Sequence, residues 1–193
     1  MQGKREKILQ AALNVFSESG FHGCSIPELA RKAGIATGGL YVHFRNKEAL
    51  VNELYVETKR RFLARLREAI DPALDHRENF GRIWEACVGF AREEPKAFLF
   101  MEAHHHEPYL SKAALQVEAE ILELTRDFVK AGQRAKAFRA GPPDVLISLA
   151  FGSLVYLFKS AARGVFEVTP AHWSAARKGL ELALLRDDSS SAP

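Results

Sequence analysis

Apolar positions recur every three or four residues through most of the chain, which is the spacing of helices with one buried face. Ile8, Leu9, Ala12, Val15 and Phe16 give the first such stripe over 4–19, closed by Gly20. Short stripes follow at Leu29, Ala30 and Ala33, then at Leu40 and Phe44. Leu50, Leu54, Phe62, Leu66 and Ile70 carry one long helix from about residue 47 to Pro72. The pattern then predicts helices over 75–94 (ending at Pro95), 96–103, 111–138 (broken by Gly141-Pro142-Pro143), 144–164 and 170–186. Residues 144–164 are apolar on almost every side, so burial on several faces is expected. Trp173, Ala176, Leu180 and Leu184 make one stripe on the last helix. No segment shows a strand period and no internal repeat occurs, so the fold class is all-α. The tail 187–193 (DDSSSAP) is expected to be disordered.

The two short stripes lie in the most informative stretch, Ser25–Lys47. Ser25-Ile26-Pro27-Glu28 has the form of a capping box: the Ser hydroxyl accepts from the N–H of Glu28, and the Glu side chain returns to the N–H of Ser25. Pro27 falls in the first turn, where its missing N–H costs nothing. Gly34 is placed to end the helix in a left-handed conformation. Thr37 is a candidate cap for the next helix and Asn46 for the long one. Leu29, Ala33, Ile35 and Leu40 fill the wedge where two crossing helices meet. That is a helix-turn-helix, and its second helix exposes Thr37, Gly38, Gly39, Tyr41, Val42 and His43. Gly38 and Gly39 cost roughly 1 kcal/mol each in a helix interior, but they let the backbone approach another surface, where free N–H groups favour phosphate.

Composition narrows the class. The 193 residues are 47% hydrophobic and 26% charged, which fits a globular chain and not a disordered one. The net charge is +3, and its distribution is uneven: residues 1–47 hold seven basic and three acidic side chains, the remainder twenty and twenty-one. The positive excess therefore sits at the N-terminal end, as expected where that end meets a polyanion. MQGKREKILQ enters a charged amphipathic pattern directly and does not read as a signal peptide. The longest apolar run, Leu146–Phe158, falls short of the about 20 residues of a membrane span. Cys24 and Cys87 form no framework, so free thiols in a reducing cytoplasm are expected, with no membrane partner.

One resemblance is specific. Gly20-Phe21, Ser25-Ile26-Pro27-Glu28-Leu29-Ala30, Ala33-Gly34-Ile35, Gly39-Leu40-Tyr41-Val42-His43-Phe44 and Asn46-Lys47-Glu48-Ala49-Leu50 together resemble the TetR/AcrR family of transcriptional repressors. The resemblance covers about a quarter of the chain, and its L-Y-x-H-F-x-x-K-E-x-L run adds to the generic helix-turn-helix spacing. It implies about nine helices around an N-terminal three-helix DNA-binding domain, a symmetric dimer, and a C-terminal helical ligand-binding and dimerisation domain. On that basis the domains are 1–50 and 51–186, and helices 144–163 and 170–185 pair with their copies in a second chain. Positions 37–39 read Thr-Gly-Gly, which offers few side chains for base contacts and shifts weight to the backbone.

The residues assigned to DNA are Ser25, Thr37, Gly38, Gly39, Tyr41, Val42, His43, Arg45 and Lys47. Tyr41, His43 and Lys47 suit phosphate oxygens, Arg45 is a further backbone partner, and Val42 suits a thymine methyl. Trp84, Met101, His105 and Phe151 are the candidate pocket residues, although aromatics at helical spacing more often form plain core. Glu102 and His104-His105-His106 invite a metal reading. Successive helical residues point about 100° apart, so three in a row do not converge on one ion, and no metal or other cofactor is expected. The function expected is that of a cytoplasmic, dimeric, non-enzymatic repressor released from a palindromic double-stranded operator by a small-molecule effector of unknown identity. The alternatives are a helix-turn-helix protein without an effector, and a metal-dependent protein built on the histidine cluster.

Overall fold

The computed structural model describes residues 3–105 and 107–186. Among them are nine helices: α1 (Lys4–Ser19), α2 (Ile26–Lys32), α3 (Thr37–His43), α4 (Lys47–Ala69), α5 (His76–Glu93), α6 (Pro95–Ala103), α7 (Lys112–Arg134), α8 (Pro143–Ala162) and α9 (Pro170–Leu184). The one extended pairing among the described residues is an isolated antiparallel bridge between Phe138 and Leu185. The chain forms two compact units. One comprises the residues up to Phe62 with Glu93–Ala119, the other Leu63–Arg92 with the residues from Glu120 onward. The tail expected to be disordered, 187–193, lies outside the described residues.

In the first unit α1 buries the stripe read from its sequence, with Ile8, Ala12, Val15 and Phe16 all inaccessible. It packs on α6, where the Phe16 and Phe100 rings stack at 6.1 Å and Lys96 donates to Asn14 Oδ1 at 3.0 Å. Leu29, Leu40, Leu50, Tyr55, Phe98 and Met101 complete this core. Asn52 ties the α6–α7 loop to α4: its amide donates to the carbonyls of Tyr109 and Glu48, each at 2.8 Å, and accepts from the Ser111 N–H at 2.6 Å.

In the second unit α5, α8 and α9 bury Phe80, Trp84, Leu154, Trp173 and Leu180. The turn before α5 is organised by buried Asn79, whose amide donates to the carbonyls of Asp71, Leu74 and Asp75 and accepts from the Asp71 N–H at 2.7 Å. Phe138 sits so close to α7 that a Cβ at Gly132 would lie 2.1 Å from its ring. Hydrogen bonds from Arg139 N–H to Leu184 and from Arg186 N–H to Ala137 fasten this loop to the end of α9.

Two expectations about these helices need correction. α7 stops at Arg134, short of residue 138, because Lys136 takes a left-handed φ of 60°. The N–H groups of Lys136 and Ala137 then bond back to Gln133 and Gly132, a helix-closing motif that normally uses glycine. A lysine in that conformation costs about 1 kcal/mol and gives no signal in the sequence. α8 is not buried on several faces within the chain. Only Leu146, Leu154, Phe158 and Ser160 are buried, while Val145, Leu149 and Tyr156 face outward. Its 20 residues are also long and apolar enough, by length and composition alone, to cross a membrane, which the shorter run Leu146–Phe158 did not suggest.

Candidate nucleic-acid interface

The helix-turn-helix is built by local chemistry. The Ser25 hydroxyl accepts from the Glu28 N–H at 3.3 Å, and Pro27 lies in the first turn of α2. The return half of the capping box does not form. The Glu28 carboxylate instead lies 3.8 Å from Lys32. At the other end Gly34 adopts a φ of 69°. Gly34 N–H bonds to Arg31 O at 3.1 Å and Ile35 N–H to Ala30 O at 3.0 Å, the paired bonds of a Schellman turn. Leu29, Ala30 and Leu40 are buried in the wedge so formed. Asn46 caps α4, accepting from Ala49 N–H at 2.7 Å.

α3 begins at the assigned cap residue itself, one residue earlier than expected. Ala36 occupies the cap position and Thr37 is the first helical residue, so the Thr37 side chain is exposed on the helix itself. Its companions on the outer face are Gly38, Tyr41, Val42 and His43, with Arg45 exposed just beyond. Tyr41 is 52% exposed and Val42 82%, the largest value for any large apolar side chain among the described residues. A Cβ at Gly38 would meet nothing within 4 Å, and one at Gly39 would meet only Ile35, at 4.0 Å. The chain's own packing therefore does not require either glycine.

Two of the assigned residues are already engaged. The Ser25 hydroxyl is occupied by its cap. Lys47 donates from Nζ to the Cys24 carbonyl at 2.6 Å and holds its ammonium 4.3 Å above the Phe21 ring. Phe21 in turn stacks on Tyr109 at 4.3 Å. Lys47 thus braces the loop before α2, and its remaining N–H groups are what it can offer a phosphate.

Together these elements present a short helix with a bare first turn, an apolar tip and flanking Tyr, His and Arg groups, held rigidly by a Schellman turn and two caps. Residues 8–54 match the family model described as bacterial regulatory proteins of the tetR family. Residues 55–175 match the Tetracyclin repressor-like C-terminal domain. The chain belongs to the TetR family. The relatives it matches carry the names of transcriptional regulators. It is 43% identical to the HTH-type transcriptional regulator UidR of Escherichia coli K12 over 70 residues, 36% of either chain. It is thus similar to about a third of that relative's length. With the HTH-type transcriptional repressor KstR2 of Rhodococcus jostii it shares 28% identity over 159 residues, 77% of this chain and 73% of the other. The crystal structure of a TetR family transcription regulator from Marinobacter aquaeolei superimposes with a TM-score of 0.82 at 22% identity, covering 95% of this chain and 96% of that one. That likeness confirms the TetR fold.

The pocket candidates fall in both units. Met101 is inaccessible in the core of the first unit. His105 lies near the surface there, its Nδ1 2.7 Å from Glu118 Oε1. In the second unit Trp84 is buried with its ring 6.4 Å from that of Trp173, and Phe151 is half-buried on α8. A groove of about 290 Å³ between α5 and α9 is lined by Glu85, Val88, Arg92, Trp173, Arg177 and Glu181, and by neither Trp84 nor Phe151. Of the histidine cluster, His104 is buried and paired with the Tyr109 hydroxyl, whereas His105 pairs with Glu118. His106 lies outside the described residues. Among the described residues no group of three or more His, Cys, Asp or Glu side chains is placed to hold a metal ion.

Sequence reasoning missed the polar group at the centre of the first unit. Tyr55 and Lys59 on α4 converge with His105 on Glu118 of α7: the Tyr55 hydroxyl donates to Oε1, and Lys59 Nζ lies 3.8 Å from the same atom. Burial alone would raise the Glu118 pKa. Hydrogen bonds from His105 and Tyr55, with the Lys59 charge, outweigh it and hold the carboxyl down to about 2. Burial pushes the Lys59 ammonium below its ordinary value, opposed by Glu118 and Glu102. The signal was present: Glu118 is in register with Ala114 and Val117, and Lys59 with Tyr55, so opposite charges occupy inward positions on two helices.

Proposed function

We propose that this TetR-family regulator is a repressor that binds a palindromic operator as a homodimer and is released by a small molecule. The observation that carries the DNA surface is the outer face of α3, where side chains that suit phosphate surround a glycine pair the fold does not need. On this reading Tyr41, His43 and Arg45 hold the DNA backbone, Thr37, Val42 and the turn at Gly38 and Gly39 face the groove, and Ser25 and Lys47 act mainly by fixing the module. DNA-binding domain 1–50 and effector and dimerisation domain 51–186 divide the work, in the cytoplasm where the chromosome lies.

Dimerisation is supported by the apolar faces left outside on α8 and α9, which carry Leu149 and Tyr156 (53% and 67% exposed) and Leu182 (70%). A two-fold DNA site with half-sites about 34 Å apart requires such a partner. Effector response is supported by the continuous contact from His104 through Tyr109 and Phe21 to Lys47, which joins the α6–α7 loop to the helix-turn-helix.

The test is fluorescence anisotropy with a duplex from the promoter region beside the gene. Tyr41→Ala with His43→Ala is expected to weaken binding roughly tenfold or more, with the fold unchanged because both side chains are exposed. Equal binding by the variant removes α3 as the contact surface. In sedimentation, Leu149→Glu with Leu182→Glu is expected to convert dimer to monomer and lower operator affinity, and a variant that stays dimeric refutes the α8–α9 interface.

A further inference from the structure

The physical oddity of α3 is Val42. It is the most exposed large apolar side chain described, it is β-branched in a helix of seven residues, and nothing inside the protein uses it. A polar residue would serve the fold equally well. Helical side chains lean toward the N-terminus of their helix, so the methyls of Val42 stand over the preceding turn. That turn is Gly38 and Gly39. The space a Cβ would fill at Gly38 is open, and at Gly39 only Ile35 borders it. Val42 is therefore the wall of a shallow apolar notch whose floor is bare backbone.

The same helix carries no Arg, Lys, Asn or Gln, the side chains that read guanine or adenine with paired hydrogen bonds. The one base feature in the major groove that an apolar notch recognises is the C5 methyl of thymine. We infer that Val42 reads a thymine methyl in each operator half-site, seated over the bare turn at Gly38 and Gly39. This rests on the DNA-binding reading above and adds the chemistry by which the sequence is told apart.

The experiment starts from duplexes with a randomised core about three helical turns long, enriched by repeated selection on the full-length chain. Each thymine of the enriched duplex is then replaced singly by 2′-deoxyuridine, which pairs identically and lacks only the methyl. One symmetry-related position per half-site is expected to weaken binding roughly three- to fivefold, the value of burying one methyl. Val42→Ala should bind the thymine and deoxyuridine duplexes alike. Gly38→Ala, which clashes with nothing in the protein, should fill the notch and lose the same discrimination. Both variants alter surface atoms, so circular dichroism should be unchanged. Deoxyuridine tolerated at every position, or a methyl preference that persists in Val42→Ala, overturns the assignment while leaving DNA binding intact. Failure to enrich any sequence overturns the DNA-binding reading itself and this inference with it.

Discussion

Replacing Glu118 with alanine is expected to destabilise the chain by about 3 kcal/mol, because it takes from the buried Lys59 ammonium its main carboxylate partner and leaves only the lesser attraction of Glu102. Lys59 and Glu118 side chains are 10% and 13% exposed, and the carboxylate is shared by Lys59, Tyr55 and His105. Removing one partner of a buried pair leaves the other charge without compensation, whereas replacing both with apolar groups is often neutral. In a chain of this size the loss lowers the melting midpoint by roughly 6–12 °C. The triple variant Tyr55→Phe, Lys59→Met, Glu118→Leu removes the hydroxyl and both charges together and should recover most of it. Urea and thermal unfolding at pH 7 decide the matter. A single variant within about 1 kcal/mol of the parent, or a triple variant no better than the single, refutes the account. The pH dependence has a definite sign. The Glu118 carboxyl is depressed to about 2 in the folded chain, so its contribution is complete above the ordinary carboxylate range and is lost as pH falls from there toward 2.

Much of the fold was legible because its boundaries are written in residues with one physical use. Gly34 and Gly164 both take a left-handed φ, Pro95 starts α6, and Ser25 and Asn46 cap the helices they precede. The end of α7 was not legible because Lys136 adopts a conformation that lysine does not announce. The surroundings of α8 were misread for a different reason. An all-round apolar helix satisfies equally a core position and a face left for another chain, and periodicity carries no information about which. At the helix-turn-helix, the sequence pattern identified which side chains point outward from α3. It did not show that Lys47 is tied to the Cys24 carbonyl, since that bond joins residues 23 apart and depends on how the loop folds back. The Tyr55–Lys59–Glu118 group shows the same limit. The inward register of each charge is visible along its own helix, and their meeting is a property of packing.

Lowering the pH from 7 to 5 is expected to remove about 2 kcal/mol of stability through His104 alone. Its ring is 1% exposed, packed 4.5 Å from Phe100 and 5.9 Å from Phe16, with Nδ1 paired to the Tyr109 hydroxyl and Nε2 buried with no partner. Burial drives its pKa down to about 4, so the folded chain holds it neutral. The unfolded chain takes up the proton near the ordinary histidine value of about 6.5. The unfolded state therefore binds more protons between those limits. Stability is complete above about pH 6.5 and declines as pH falls toward 4, the direction expected of a histidine whose folded pKa is depressed. His104→Gln retains a hydrogen-bonding side chain beside Tyr109 and cannot titrate. The difference in unfolding free energy between pH 7 and pH 5 should be smaller in that variant by about 2 kcal/mol, whatever its stability at pH 7. The remaining histidines are common to both proteins and cancel in the comparison. Identical pH profiles for the two chains would show that His104 is protonated in the fold, and that the packing of Phe16, Phe100 and Tyr109 around it accommodates a cation.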